Sequence, residues 1–496
     1  MSKEIKLLSI FCVSLIIILM LSTTIIQFFR ADEYAKNDWN MRSTYKEFGV
    51  ERGSILVQNG NSLKEVAKSV PVDDAYKFQR VYSDTNYSPV TGYFSIINKS
   101  DRGIEYALDD ELSGNIDELA ITNLVDLATG KTTRGADVVL TLDDKLQAAA
   151  MQGLKDSGFK GAVVAVEPST GKILSLASYP NADYSNFASH NAATASEAYT
   201  QTVNDSDAPM INRATDSLLP PGSTFKIMTT TAALETGEYT PDTSVESPLT
   251  YILPNTATYL PNYAGGNCSA SNGVETLSRA LQMSCNTTFA ILGNKLGSTK
   301  MKKQADQFAI GDALSIADGQ KGGSFSVVKS VFPENAAPDR LAMDAIGQAE
   351  VKITPLQDCL LSAAVANNGK IMKPYLVDRI QQQDATILRK TSPTVLKTAM
   401  SEKSSQYLRD MMSKVVSQGT ASSARISGVQ VAGKTGTAEN ASDMLPHSWF
   451  TGFAPSDSDT SAKIAISVVL ENAANNSNPA TVLAQKLLKT YLTEHA

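Results

Sequence analysis

The chain has 496 residues, a formal net charge of −7, 42% hydrophobic residues and 19% charged residues. That length allows two or three domains with a sizeable core. An acidic balance with no basic stripe argues against nucleic acid as a partner, because phosphate backbones are bound by clustered Lys and Arg. No His/Cys spacing of the zinc-ligand kind occurs, and neither metal nor cofactor is expected.

The first element in chain order is an uncharged run from Leu7 to Phe29, with Lys3 and Lys6 before it. It is long enough to cross the hydrocarbon layer as a helix, and the leading lysines favour a cytoplasmic start. A cleaved leader has a shorter apolar region and small residues at its end, whereas this run ends in Gln27-Phe28-Phe29-Arg30. The expected layout is a cytoplasmic tail at 1–6, a single uncleaved anchor at 7–29 and everything after it outside the cell.

Residues 30–45 are polar and carry mixed charge. Residues 50–135 hold short apolar runs broken by Gly, Asn, Asp and Ser, such as Gly53-Ser-Ile-Leu-Val before Gln-Asn-Gly-Asn, and predict a small strand-rich domain. Val138-Val-Leu-Thr-Leu alternates like a strand, and Asp143 is placed to cap a following helix. From Gly161 the texture changes. Gly161-Ala-Val-Val-Ala-Val and Ile173-Leu-Ser-Leu-Ala-Ser predict a hairpin around Pro168-Ser-Thr-Gly-Lys. Helical stretches are expected at 223–236, 275–297, 354–367, 402–417 and 479–494. Strands are expected at Val429-Gln-Val-Ala-Gly, Trp449-Phe-Thr-Gly-Phe-Ala and Ala462-Lys-Ile-Ala-Ile-Ser-Val-Val-Leu. An antiparallel sheet drawn from both ends of a domain, with helices between, is an α+β layout. The domains read as 30–155 and 156–496.

Of the four cysteines, Cys12 falls in the anchor and Cys268, Cys285 and Cys359 fall outside it, where disulfides persist. Cys268 and Cys285 are the closer pair. A bridge between them and two free buried thiols are both compatible with the sequence.

The three histidines are His190, His447 and the near-terminal His495, and no Gly-x-Ser-x-Gly elbow accompanies them. A nucleophilic serine would therefore use another base, and a lysine of lowered pKa can serve. Matches to Ser-x-x-Lys include those starting at Ser43, Ser169, Ser223 and Ser326. Ser43 is next to the anchor, Ser169 is in the hairpin turn and Ser326 is expected in a Gly-rich loop. Only Ser223 stands in a breaker leading into a helix, Leu219-Pro-Pro-Gly-Ser-Thr-Phe-Lys. There the i, i+3 spacing sets Lys226 beside the Ser223 hydroxyl. Ser284-Cys285-Asn286 follows inside a helical run, with Ser284 suited to relaying a proton and the Asn286 amide to holding a peptide carbonyl. Lys434-Thr435-Gly436 lies in a strand of small residues where backbone can approach a substrate. Lys434 offers a cation for a carboxylate, and the N–H groups of Ser223 and Thr437 could form an oxyanion hole. His447 is expected to be structural, and Trp449 and Phe450 to be core residues.

Ser-x-x-Lys, Ser-x-Asn and Lys-Thr-Gly in this order resemble the penicillin-binding protein and serine β-lactamase superfamily. Arg52-Gly-Ser-Ile-Leu resembles the Arg-Gly-x-Ile motif of the class B pedestal. Asn212-Arg-Ala, Ile346-Gly-Gln, Thr354-Pro-Leu-Gln, Ala366-Asn-Asn-Gly and Trp449-Phe-Thr-Gly-Phe-Ala-Pro resemble transpeptidase-domain landmarks. One departure is Val57-Gln-Asn-Gly, where the family pedestal usually has Asp-Arg-Asn-Gly.

The resemblance implies a non-catalytic pedestal at 30–155 and a transpeptidase domain at 156–496. It implies a membrane-bound bacterial enzyme that crosslinks peptidoglycan stem peptides through an acyl-enzyme on Ser223, is trapped by β-lactams, and works with a polytopic glycan-polymerising membrane protein. Lys226 would be the base and Ser284 the proton relay. Asn286, Lys434, Thr435, Gly436 and Thr437 would bind substrate. A class A bifunctional enzyme would need a second catalytic domain before residue 156. A class A β-lactamase would need Glu-x-x-x-Asn between the second and third motifs, and none of Glu334, Glu350 and Glu402 has it. A D,D-carboxypeptidase, a β-lactam sensor and an inactive scaffold are the remaining alternatives.

Overall fold

A computed structural model describes residues 3–495, apart from 36–44, 46, 131, 263–265, 267, 269–272, 441–443, 459 and 475–477. Ser43 and most of the polar stretch after the anchor lie outside the described residues.

The N-terminal helix Lys3–Thr24 runs into a π-helical turn, Ile25–Phe29, and none of its side chains is buried. An apolar helix exposed all round is a candidate membrane span by length and composition.

The strand-rich domain is organised by a six-stranded sheet. Ile55–Asn59 and Ser62–Pro71 form a hairpin through Gly60, at φ 58°, so Val57-Gln-Asn-Gly still makes a tight turn. Phe78–Tyr82 extends the hairpin on one side, and Asp137–Asp143 pairs parallel with its first strand on the other. The next pairing leaves no local mark in the sequence. Val377–Gln381, from far down the chain, adds antiparallel to Asp137–Asp143, and Ile387–Lys390 follows it. The second domain therefore completes the first domain's sheet. Arg52 is buried in the smaller domain, with Nη2 2.9 Å from Glu105 Oε2 and Nη1 2.6 Å from Asp109 Oδ1. Arg80 reaches the other Glu105 oxygen at 2.6 Å.

The larger domain is built on a five-stranded antiparallel sheet in the order Ala432–Ala438, His447–Ala454, Ile464–Leu470, Gly161–Val166, Ile173–Tyr179. Its inner strands are buried on both faces because helices cover both. Asp144–Ser157 and Pro479–Glu494 pack on one side; Pro355–Ala366, buried along its whole length, packs on the other. Asp143 caps its helix through the Leu146 N–H, as expected. Trp449 and Phe450 are fully buried. The architecture is α+β, a central sheet flanked by helices beside a smaller strand-rich domain.

Two expectations need correction. The stretch 275–297 is two helices, Leu277–Met283 and Asn286–Leu296. Ser326 lies in a short strand, Ser324–Val327, not in a loop. His495 is exposed and lies 3.0 Å from Asp143 Oδ2.

Candidate active site

The breaker Pro220-Pro221-Gly222 delivers Ser223 into a 3-10 turn, Gly222–Phe225, that feeds the helix Lys226–Leu234. In a 3-10 turn, side chains three apart eclipse one another, so Lys226 follows Ser223 on the same line. The turn is clamped from two sides. The Gly222 N–H donates to Gly347 O at 2.9 Å. Gly222 has φ +57°, and a Cβ there would lie 2.5 Å from Thr437 O; a Cβ on Gly436 would lie 2.7 Å from Pro221 O. The Ser223 turn thus presses backbone to backbone against the Lys-Thr-Gly strand, which small residues alone permit. That strand, Ala432–Ala438, is the edge of its sheet, so no further strand pairs with the side facing Ser223.

The break between the two helices forms the middle of the site. Ser284 ends the first helix in the left-handed region, at φ 61° and ψ 42°, and the next helix starts at Asn286. This turns the Ser284 carbonyl, the Ser284 hydroxyl and the Asn286 amide toward Lys226. Lys226 Nζ donates to Ser284 O at 2.8 Å, Asn286 Oδ1 at 2.8 Å and Ser284 Oγ at 3.4 Å. Lys434 Nζ reaches the same hydroxyl at 2.8 Å and Thr435 O at 2.9 Å. Three far-apart segments meet on one oxygen. Among the described residues the Ser223 hydroxyl makes no hydrogen bond, so the direct Ser223–Lys226 contact suggested by their spacing is not formed in this state.

Both lysines are fully buried. Burial penalises their charged forms, pulling Lys226 well below its ordinary value, with the Lys434 charge adding to the effect. Burial alone pulls Lys434 to about 7. A lysine lowered in this way gives up its proton more readily than an exposed one. Cys285, between Ser284 and Asn286, is bonded to Cys268 with Cα atoms 5.8 Å apart, whereas Cys359 is a buried free thiol.

The histidines stand elsewhere. His190 Nδ1 lies 2.6 Å from Asp74 Oδ2, joining the two domains. His447 is buried, accepts from the Asn472 N–H and is pushed down to about 4 by burial and then by Lys352.

Sequence reasoning missed two supports of the site. Asp344 is fully buried, accepts the Glu350 N–H at 3.0 Å and holds the loop carrying Gly347; burial raises its carboxyl to about 7. Thr420 Oγ1 lies 3.0 Å from Thr435 Oγ1. A lone Asp in Met343-Asp-Ala-Ile and a lone Thr in Gly419-Thr-Ala carry no local signature.

A buried lysine pair sharing a serine hydroxyl, behind a serine held at a sheet edge, is the equipment of a serine acyltransferase. Comparison with known proteins agrees. The penicillin binding protein transpeptidase domain model matches residues 161–489, and the penicillin binding protein A dimerisation domain model matches residues 52–138. The chain is 35% identical over 484 residues to the peptidoglycan D,D-transpeptidase PbpA of Mycolicibacterium smegmatis, covering 95% of this chain and 94% of that protein. It is 35% identical over 490 residues to PbpA of Mycobacterium tuberculosis H37Rv, covering 96% and 95%. The imipenem acyl-enzyme complex of penicillin-binding protein A from M. tuberculosis superposes with a TM-score of 0.82 at 33% identity, over 90% of this chain and 100% of that one. The chain belongs to the penicillin-binding protein transpeptidase family, among its class B members.

Proposed function

We propose that the protein is a peptidoglycan D,D-transpeptidase acting through an acyl-enzyme on Ser223. The observation that carries this reading is the convergence of Lys226, Ser284 and Lys434 on one hydroxyl beside the Ser223 turn. Ser223 Oγ attacks the carbonyl between the two terminal D-alanines of a stem peptide, and its proton passes to neutral Lys226. The oxyanion sits between the Ser223 and Thr437 N–H groups. The C–N bond breaks, and the leaving D-Ala amine takes a proton through Ser284. The amine of a neighbouring stem peptide then attacks the ester. The new amide forms, its proton returns through the same groups and Ser223 is regenerated.

Lys434 and Thr435 hold the terminal carboxylate, Gly436 lets the substrate backbone close on the strand, and Asn286 binds the donor peptide through its amide. A β-lactam opens its ring on Ser223 in the same way and stays attached. Relatives are named D,D-transpeptidases, and a neighbour of the same fold is described as a β-lactam acyl-enzyme. The exposed apolar helix Lys3–Phe29 serves as the single anchor, with Lys3 and Lys6 inside and the catalytic domain outside the cell membrane. A polytopic glycan-polymerising membrane protein works beside it on the same nascent glycan.

The test supplies lipid-linked substrate together with a polymerase and separates products by mass. Crosslinked stem-peptide dimers, absent with Ser223→Ala, support the reading. Trimmed stems without dimers would make the protein a D,D-carboxypeptidase, and unchanged stems would sink the enzymatic reading.

A further inference from the structure

We propose that Thr420 is a substrate-binding residue of this site, pairing with Thr435 to receive the terminal carboxylate of the stem peptide. The inference rests on the acyl-enzyme reading above. The Thr420 and Thr435 hydroxyl oxygens are 3.0 Å apart. Two hydroxyls carry two hydrogens, and their mutual bond uses one. Neither oxygen has another hydrogen-bond partner among the described residues, so the pair presents one O–H donor with no acceptor. Thr420 is exposed and Thr435 is 8% exposed, so that donor can be reached by a ligand. The residue next to Thr435 is Lys434, whose Nζ donates to the Thr435 carbonyl oxygen at 2.9 Å. A hydroxyl donor beside an ammonium fits an anionic, planar acceptor.

Thr420 is also fixed in place. Its segment leaves the helix Glu402–Gln418 and crosses the end of Leu277–Met283, the helix that delivers Ser284. Gln282 Nε2 donates to Gln418 O at 2.9 Å, and the Thr420 N–H reaches Gln282 O at 3.4 Å. A Cβ on Gly419 would lie 2.6 Å from Gln282 O and 2.8 Å from Val415 O, so only glycine lets the chain pass there. Branching at Cβ restricts the Thr420 rotamer. Thr420 thus links the Ser-x-Asn helix to the Lys-Thr-Gly strand.

The experiment compares acylation by benzylpenicillin, which has the carboxylate, with acylation by its methyl ester, which does not. Wild type, Thr420→Val and Thr420→Ser are compared by second-order rate constant. Thr420→Val should slow benzylpenicillin by about ten- to a hundredfold, the worth of one hydrogen bond to a charged group. It should leave the slower ester reaction within about twofold of wild type, and Thr420→Ser should recover most of the loss. Wild-type rates in Thr420→Val, or an equal loss with both compounds, would overturn the inference while leaving Ser223 acylation standing. Failure of either compound to label Ser223 in wild type would overturn the acyl-enzyme reading and this inference with it.

Discussion

Replacing Gly222 by alanine tests how the site is held together. The new Cβ would lie 2.5 Å from Thr437 O and 2.8 Å from Thr437 C, where ordinary contact begins at 3.4 Å. Both obstacles are backbone, so no side chain can swing away, and the Ser223 turn must withdraw from the Lys-Thr-Gly strand by about 1 Å. The positive φ of residue 222 adds about 1–2 kcal/mol of strain for a residue with a Cβ. A misplacement of about 1 Å between nucleophile and oxyanion donors costs about a hundredfold in rate. Gly222→Ala should therefore be folded, melt a few degrees lower and be acylated by fluorescent penicillin about a hundred times more slowly, as read by stopped-flow fluorescence. Acylation within threefold of wild type would show that the turn and the strand need not be in contact, and the packing argument would fail.

Other consequences are open to measurement. Burial holds Lys434 at about 7, so its cationic form, the one proposed to bind a carboxylate, is lost as pH rises through that value. The second-order acylation rate with a carboxylate-bearing β-lactam should fall above about pH 7, because this constant reports the free enzyme's ionisations. Lys434→Arg, always charged, should lack that falling limb even if slower throughout, and its persistence would assign the limb to another group. Arg52→Ala leaves Glu105 buried with one partner fewer and should cost about 3–5 kcal/mol in urea unfolding; a change below about 1 kcal/mol would mean that the buried cluster relaxes freely. Reducing Cys268–Cys285, which are 17 residues apart, should cost about 3 kcal/mol and lower the melting temperature. Identical melting with and without reductant would argue against the bond in solution.

Much of this architecture was legible from local signals. The strands Gly161–Val166 and Ile173–Tyr179 and the helix Pro479–Glu494 announce themselves by continuous or periodic apolar residues between breakers. The Ser223 turn is marked by Pro-Pro-Gly. The break at Ser284 is not legible, because neither Gly nor Pro stands there and Leu277 to Leu296 has helical character throughout. The left-handed turn at Ser284 is held by tertiary contacts, with two buried lysine amines meeting its carbonyl and hydroxyl oxygens. The pairing of Val377–Gln381 with Asp137–Asp143 was equally hidden, since strand partners so distant in sequence leave no local mark. The motifs named the site's residues, but only the fold shows that Lys226 and Lys434 share one hydroxyl.

The claim that Ser223 is the nucleophile is tested most directly by intact-mass and peptide mapping of protein treated with benzylpenicillin. One adduct per chain, on the peptide containing Ser223 and absent from Ser223→Ala, is the predicted result. An adduct on any other residue, or undiminished labelling of Ser223→Ala, would contradict it.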